Sequence, residues 1–178
     1  WFDKRWMYEE SFKMPFLIKH PRIIEAGTTN DAMVMNVDFA PTLIDMAGLQ
    51  IPADMQGESF KGAFEGDKNK NRKSVYYHYY EWPIWHKVQP HYGIKTNRYK
   101  LMHFYYSMDE WELYDLENDP NEINNIYSEA PVELIENLKY QLNELRKKYK
   151  DDGSIDEMRR MTDTVIRRVY NEPNKIMK

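Results

Sequence analysis

"WELYDLENDPNEINNIY", residues 111–127, asks for two backbones in succession. Leu113, Tyr114 and Leu116 read as the end of a β-strand; Asp119 and Pro120 stop it, and Asn121 to Asn125 supply turn chemistry. Asp and Asn side chains bond neighbouring backbone N–H groups and Pro120 fixes one φ angle, so the corner reverses the chain. Next comes "PVELIENLKYQLNELRKKY", residues 131–149, with Leu134, Leu138, Leu142 and Leu145 on one stripe and Pro131 near the first turn. A helix striped in this way lies across one face of the sheet that the corner leaves.

Upstream, "SVYYHYYEW" (74–82), "HYGIKTNRYKLMHFYY" (91–106) and "WELYDL" (111–116) are rich in aromatic and β-branched residues, and "KTNR" (95–98) has hairpin-turn character. Residues 74–150 are therefore expected to form a small antiparallel sheet with one packed helix. "FEGDKNKNRKS" (64–74) is charged and turn-rich without apolar periodicity and marks a subdomain boundary. From Met14 to Gly66 the pattern is α/β. "PFLIKHP" (15–21) reads as a buried strand and "GTTND" (27–31) as a loop. "NVDFAPTLIDMAGL" (36–49) reads as a helix with Asn36 at its N-cap, Pro41 in its first turn and Gly48 just past its end. The tail from Asp151 has a short helix around Ile155 to Val169. No internal repeat is present.

At 178 residues the chain is long enough to bury a core. Aromatic residues make up 15% of it, chiefly 14 Tyr and 5 Trp, whose polar handles suit sheet faces and sugar-facing clefts. A net charge of -4 gives no electrostatic case for nucleic acid or an anionic membrane, leaving small molecules, glycans or proteins. The absence of Cys excludes disulfides, zinc-thiolate sites and a thiol nucleophile within these residues. No apolar run approaches membrane-spanning length. The first residue is Trp1, inside the dense cluster "WFDKRWMYEES", which reads as a cut edge of something longer.

"ELYDLENDPNEINNIY" resembles the C-terminal subdomain signature of the type I, formylglycine-dependent sulfatases of the alkaline-phosphatase-like superfamily. "KRWMYEESFKMPFLIKHP" is similar to the segment running from that family's active-site lysine into a core strand. "NVDFAPTLIDMAGLQIP" resembles the helix that follows, and "MQGESFKGAF" and "HYGIKTNRYKLMHF" also fit. The likeness spans roughly residues 2 to 150, in order, and looks closest to bacterial glycan sulfatases.

The resemblance implies the fold class: the last part of an alkaline-phosphatase-like α/β sulfatase domain (residues 1–66), a linker (67–73), a small α+β C-terminal subdomain (74–150) and a tail (151–178). It also implies sulfate-ester hydrolysis, with carbohydrate sulfate of an N-acetylglucosamine type as the preferred substrate class and aryl sulfate as the other. In that family a Cys or Ser in a C/S-x-P-x-R context becomes formylglycine, and neither form occurs here. The Ca2+ ligands are likewise expected upstream, so no metal is expected on these residues and the missing N-terminal half is an expected partner. Family habit implies a periplasmic or secreted protein. Two further readings stay open: a stand-alone glycan- or protein-binding module, and a phosphate- or phosphonate-ester hydrolase on the same scaffold.

Two residues are expected to be catalytic. Lys4 matches the lysine that contacts the sulfate, where a cation stabilises charge on the sulfate and leaving oxygens; its plain alternative is a solvated lysine in a charged loop. His91 opens the strand "HYGIKT", where related sulfatases place residues toward the leaving group. It is read either as a hydrogen-bonding partner of a sugar hydroxyl, as an acid, or as an edge-strand histidine. His86 is placed to replace or assist it. Trp82 and Trp85, in the loop "EWPIWHKVQP" (81–90), are candidates to stack on a pyranose, with core filling as the alternative. His78 and His103 are assigned to sheet packing and His20 to structure.

Overall fold

The computed structural model describes residues 4–66, 72–82 and 86–171. They form two compact units, one of residues 15–75 and one of residues 1–14 with 76–178. The first fourteen residues thus group with the sheet, whereas the sequence reading placed them with the α/β part. The physical reason lies in the sheet's second face, described below.

The larger unit contains α1 (Glu9–Phe12), a four-stranded sheet in the order β1 (Ser74–Tyr79, in this unit from Tyr76 on), β2 (His91–Thr96), β3 (Tyr99–Phe104), β4 (Glu110–Asp115), and the helices α4 (Val132–Lys148) and α5 (Ile155–Asn171). Strands β2 to β4 are antiparallel, pairing Gly93 with Met102 and Leu101 with Leu113. The β2–β3 turn falls at Asn97 and Arg98, where the Thr96 hydroxyl takes the Tyr99 N–H at 2.8 Å. Because side chains alternate along a strand, each strand feeds both faces. One face carries Tyr92, Ile94, Leu101 and Leu113 and is covered by Leu138 and Leu142 of α4 and Met158 of α5. The leucine stripe therefore faces inward, and each buried leucine contributes about 2 kcal/mol. The other face carries Met102, Phe104 and Tyr114 and is covered by Trp6, Met7, Tyr8 and Phe12. Without residues 6–12 that face would be bare.

The corner after β4 works through its side chains. Asn125 Oδ1 accepts the Leu113 N–H at 3.0 Å and its Nδ2 donates to the Trp111 carbonyl at 3.2 Å, so one asparagine substitutes for a neighbouring strand. Asp119 Oδ2 accepts the Asn124 N–H at 2.8 Å. Glu122, inside the corner, has φ +54°, in the left-handed region.

In the smaller unit a 3-10 turn (Asn36–Asp38) runs into α2 (Phe39–Met46), and α3 (Lys61–Phe64) follows. The predicted helix is present and Gly48, φ +73°, ends it. Its start is held by Asp38, not Asn36: the buried Asp38 carboxylate accepts the Met35 and Glu58 N–H groups at 2.9 and 2.8 Å and pairs with Arg72 at 2.5 Å. "PFLIKHP" forms no strand, and Leu17 is 95% exposed. A strand needs a neighbour to satisfy its N–H and C=O groups, and among the described residues of this unit there is none.

Candidate functional site

The segment Lys4 to Phe12 is shaped by what it covers. Its apolar residues turn toward the sheet, and Glu9 turns inward with them to meet Lys100, while Lys4 and Glu10 are left exposed. Lys4 is exposed and its Nζ donates to the Glu10 carbonyl. Arg5, beside it, faces the start of the 81–90 loop: Nη2 lies 2.6 Å from His86 Nε2 and Nη1 3.3 Å from Glu81 Oε2. The Arg5 carbonyl accepts the Tyr77 hydroxyl at 2.8 Å. Lys4 and Arg5 thus stand together at the end of the covering segment, one cation exposed and the other held against the loop.

Sequence reasoning selected Lys4 and His86 but missed Arg5, which joins His86 to the Lys4 segment. The available signal was the second base of the "KR" pair. Trp82 is half-buried, and its indole N–H is buried with no acceptor among the described residues. Trp85 lies outside the described residues.

His91 sits elsewhere in this arrangement. It is wholly buried, ringed by Trp6, Tyr77, Tyr79 and Phe104 at centroid distances of 5.0–5.7 Å. Nδ1 is 2.8 Å from the Gln89 carbonyl, so Nδ1 carries the proton, and Nε2 has no partner among the described residues. Burial pushes its pKa down to about 4, and the hydrogen bond to Gln89 only partly opposes this. At neutral pH His91 is a neutral acceptor with no proton to give from Nε2. Its contact with the Lys4 segment runs through Trp6, which stacks on it.

His78 and His103 pack in the sheet. His78 lies between Asp151 Oδ2 at 2.6 Å and the Tyr105 hydroxyl at 3.1 Å, and His103 stacks on Trp111 at 4.2 Å. Burial lowers the pKa of both, against the raising effect of Asp151 on one and Asp109 on the other. Among the described residues no group of three or more His, Asp or Glu side chains is arranged to hold a metal ion. In the same segment Glu9 is already committed: both its carboxylate oxygens lie 2.7 Å from Lys95 Nζ. No helix among the described residues is long and apolar enough to cross a membrane.

Comparison with known proteins places this geometry in a family. Residues 1–148 match the family described as N-sulphoglucosamine sulphohydrolase, C-terminal. An N-acetylglucosamine-6-O-sulfatase of Bacteroides thetaiotaomicron is 49% identical over 85% of this chain and 28% of its own length. Arylsulfatase K of Xenopus laevis is 32% identical over 76% of this chain and 26% of its own. Among solved structures, a protein in complex with its substrate D-glucosamine-2-N,6-O-disulfate superposes with a TM-score of 0.81 at 48% identity, over 87% of this chain and 32% of that one. The chain thus spans about 28% of the length of the first of these relatives. The expected fold class, the last part of an α/β sulfatase with a small α+β subdomain, is borne out by that superposition. The chain belongs to the C-terminal family of the N-sulphoglucosamine sulphohydrolases, among the sulfatases.

Proposed function

We propose that this chain is the C-terminal part of a sulfatase that hydrolyses a sulfate ester of a glucosamine-type sugar. One observation carries the reading: 49% identity, over 85% of the chain, to an N-acetylglucosamine-6-O-sulfatase. In this reading formylglycine and Ca2+ are supplied from residues upstream of Trp1, and the chemistry they provide is nucleophilic attack on sulfur and charge neutralisation at the sulfate. Lys4 offers its ammonium to a sulfate oxygen, where negative charge grows as the S–O bond breaks. Arg5 stands next to Lys4 in the chain and meets His86 at 2.6 Å, and Trp82 and Trp85 are the aromatics assigned to stack on the sugar. His91 supports the site from beneath as a neutral acceptor. The enzyme is exported, to the periplasm or beyond.

The test is made on full-length enzyme carrying these residues. It is expected to release sulfate from 6-O-sulfated N-acetylglucosamine faster than from 2-O-sulfated hexuronate or p-nitrophenyl sulfate. Equal rates on all three would remove the sugar assignment, and hydrolysis of phosphate or phosphonate esters alone would remove the sulfatase reading. The 178-residue chain by itself is expected to turn over none of them.

A further inference from the structure

Beneath the Lys4 segment lie four charges in an apolar setting. Lys100 of β3 is wholly buried, its Nζ 2.8 Å from Glu9 Oε1 and 2.7 Å from Glu122 Oε1. Glu9 also takes Lys95 through both oxygens, and Glu122 Oε2 accepts the Glu9 backbone N–H at 2.6 Å. The Phe12 ring closes the cluster 5.2 Å from Lys100 Nζ. Glu122, whose side chain is 1% exposed, comes from the corner after β4. It adopts φ +54° although it is neither Gly nor Asn, the residue types that take this conformation with least strain.

A buried ion cluster is a poor way to add stability, because desolvation of each charge offsets most of the attraction; an apolar filling would serve as well. What it does supply is a unique register. Glu122 grips Glu9 by its backbone, and Lys95 and Lys100 grip it by its carboxylate, so the segment cannot slide on the sheet by one residue without leaving charges buried and unpaired. The turn clamped this way includes Glu10, whose carbonyl holds Lys4 Nζ.

We propose that Glu122, acting through Lys100 and Glu9, is a positioning residue for the Lys4 ammonium, so that the corner following β4 sets the geometry of the sulfate-contacting cation. This rests on the reading of Lys4 given above. Neutralising Glu122 leaves Lys100 with one counter-charge and weakens the acceptor that holds the Glu9 N–H. The segment then shifts, and a misplacement of about 1 Å costs up to about 10²-fold in rate.

The experiment combines amide exchange with a double-mutant cycle in the full-length enzyme. Glu122→Gln is expected to raise hydrogen exchange at residues 8–13 while the β2–β4 amides keep their protection. It is expected to lower kcat by roughly 10- to 100-fold with KM little changed. In the Lys4→Ala background the same substitution is expected to cost nothing further, since the group it positions is gone. Exchange rising evenly across the sheet, or losses that add in full to those of Lys4→Ala, would overturn the positioning role. An unchanged kcat in Lys4→Ala alone would instead remove Lys4 from the chemistry and the catalytic half of the proposal with it. If Glu122→Gln does not fold, Glu9→Gln, which keeps the backbone donor and weakens only the lysine contacts, reads the same cycle.

Discussion

Trp6 lies against His91 with ring centroids 5.7 Å apart and planes inclined by 22°. The contact joins the segment carrying Lys4 to the first residue of β2, and it is part of the apolar shell that keeps His91 uncharged. Trp6→Ala is expected to destabilise the sheet unit by about 3–5 kcal/mol through the cavity left behind, measured by urea unfolding. The His91 pKa should rise from about 4 toward its ordinary value, measured by NMR.

The depressed histidines set the pH response of stability. For His91 the folded-state pKa lies below the unfolded one, so its share of stability is fully present above about pH 6.5 and is lost as pH falls toward 4. His78 and His103, also lowered, act in the same direction. Unfolding free energy should fall across this window, by about 3 kcal/mol for His91 alone if its pKa moves from the ordinary value to about 4. His91→Phe should flatten the slope without abolishing it. An unchanged slope would mean that His91 is not buried neutral.

Gly93 faces the covering segment across the sheet. A Cβ there would lie 2.4 Å from the Leu101 carbonyl oxygen and 2.6 Å from Met7 Sδ. The sulfur end is able to give way but the backbone oxygen is not, so Gly93→Ala should cost about 1–3 kcal/mol and loosen residues 6–8. Thermal unfolding and amide exchange check both parts.

In α4, Leu142→Ala should cost about 2–5 kcal/mol, since Leu142 is 2% exposed in the core between helix and sheet. Val132→Ala, at a 69% exposed site, should stay within about 0.5 kcal/mol of wild type. Urea midpoints of the pair test the direction of the leucine stripe.

The unit of residues 15–75 shows Leu17, Leu43 and Leu49 at 95, 64 and 66% exposure. A surface of this kind drives association, so the 178-residue chain is expected to self-associate at micromolar concentration in sedimentation experiments. Leu17→Asp with Leu43→Asp should reduce it; a monodisperse parent chain would favour a stand-alone module.

Much of the larger unit was legible in order of residues. The leucine stripe, the 95–98 turn and the reversing corner are local patterns, set by helical spacing, strand alternation and the side-chain bonding of Asp and Asn, and the structure contains each of them. The strand expected at "PFLIKHP" was not recoverable in the same way, because pairing depends on a neighbour and an apolar run does not specify one. Asp38 displaced Asn36 as the cap for a related reason: its second oxygen is taken by Glu58 and its charge by Arg72, 20 and 34 residues away.

By itself the sequence determined which residue types were available and which family they resemble: a lysine in "KRWMYEE", a corner of Asp and Asn, and no formylglycine motif. The tertiary structure alone decided that residues 6–12 cover the second face of the sheet, that Arg5 meets His86 and that His91 is enclosed. It also brought Glu122 beneath Glu9, 113 residues away in the chain. Periodicity reports which face a residue occupies within its own element. Which distant segment covers that face depends on the burial of apolar area and the pairing of charge, which exist only once the chain has closed on itself.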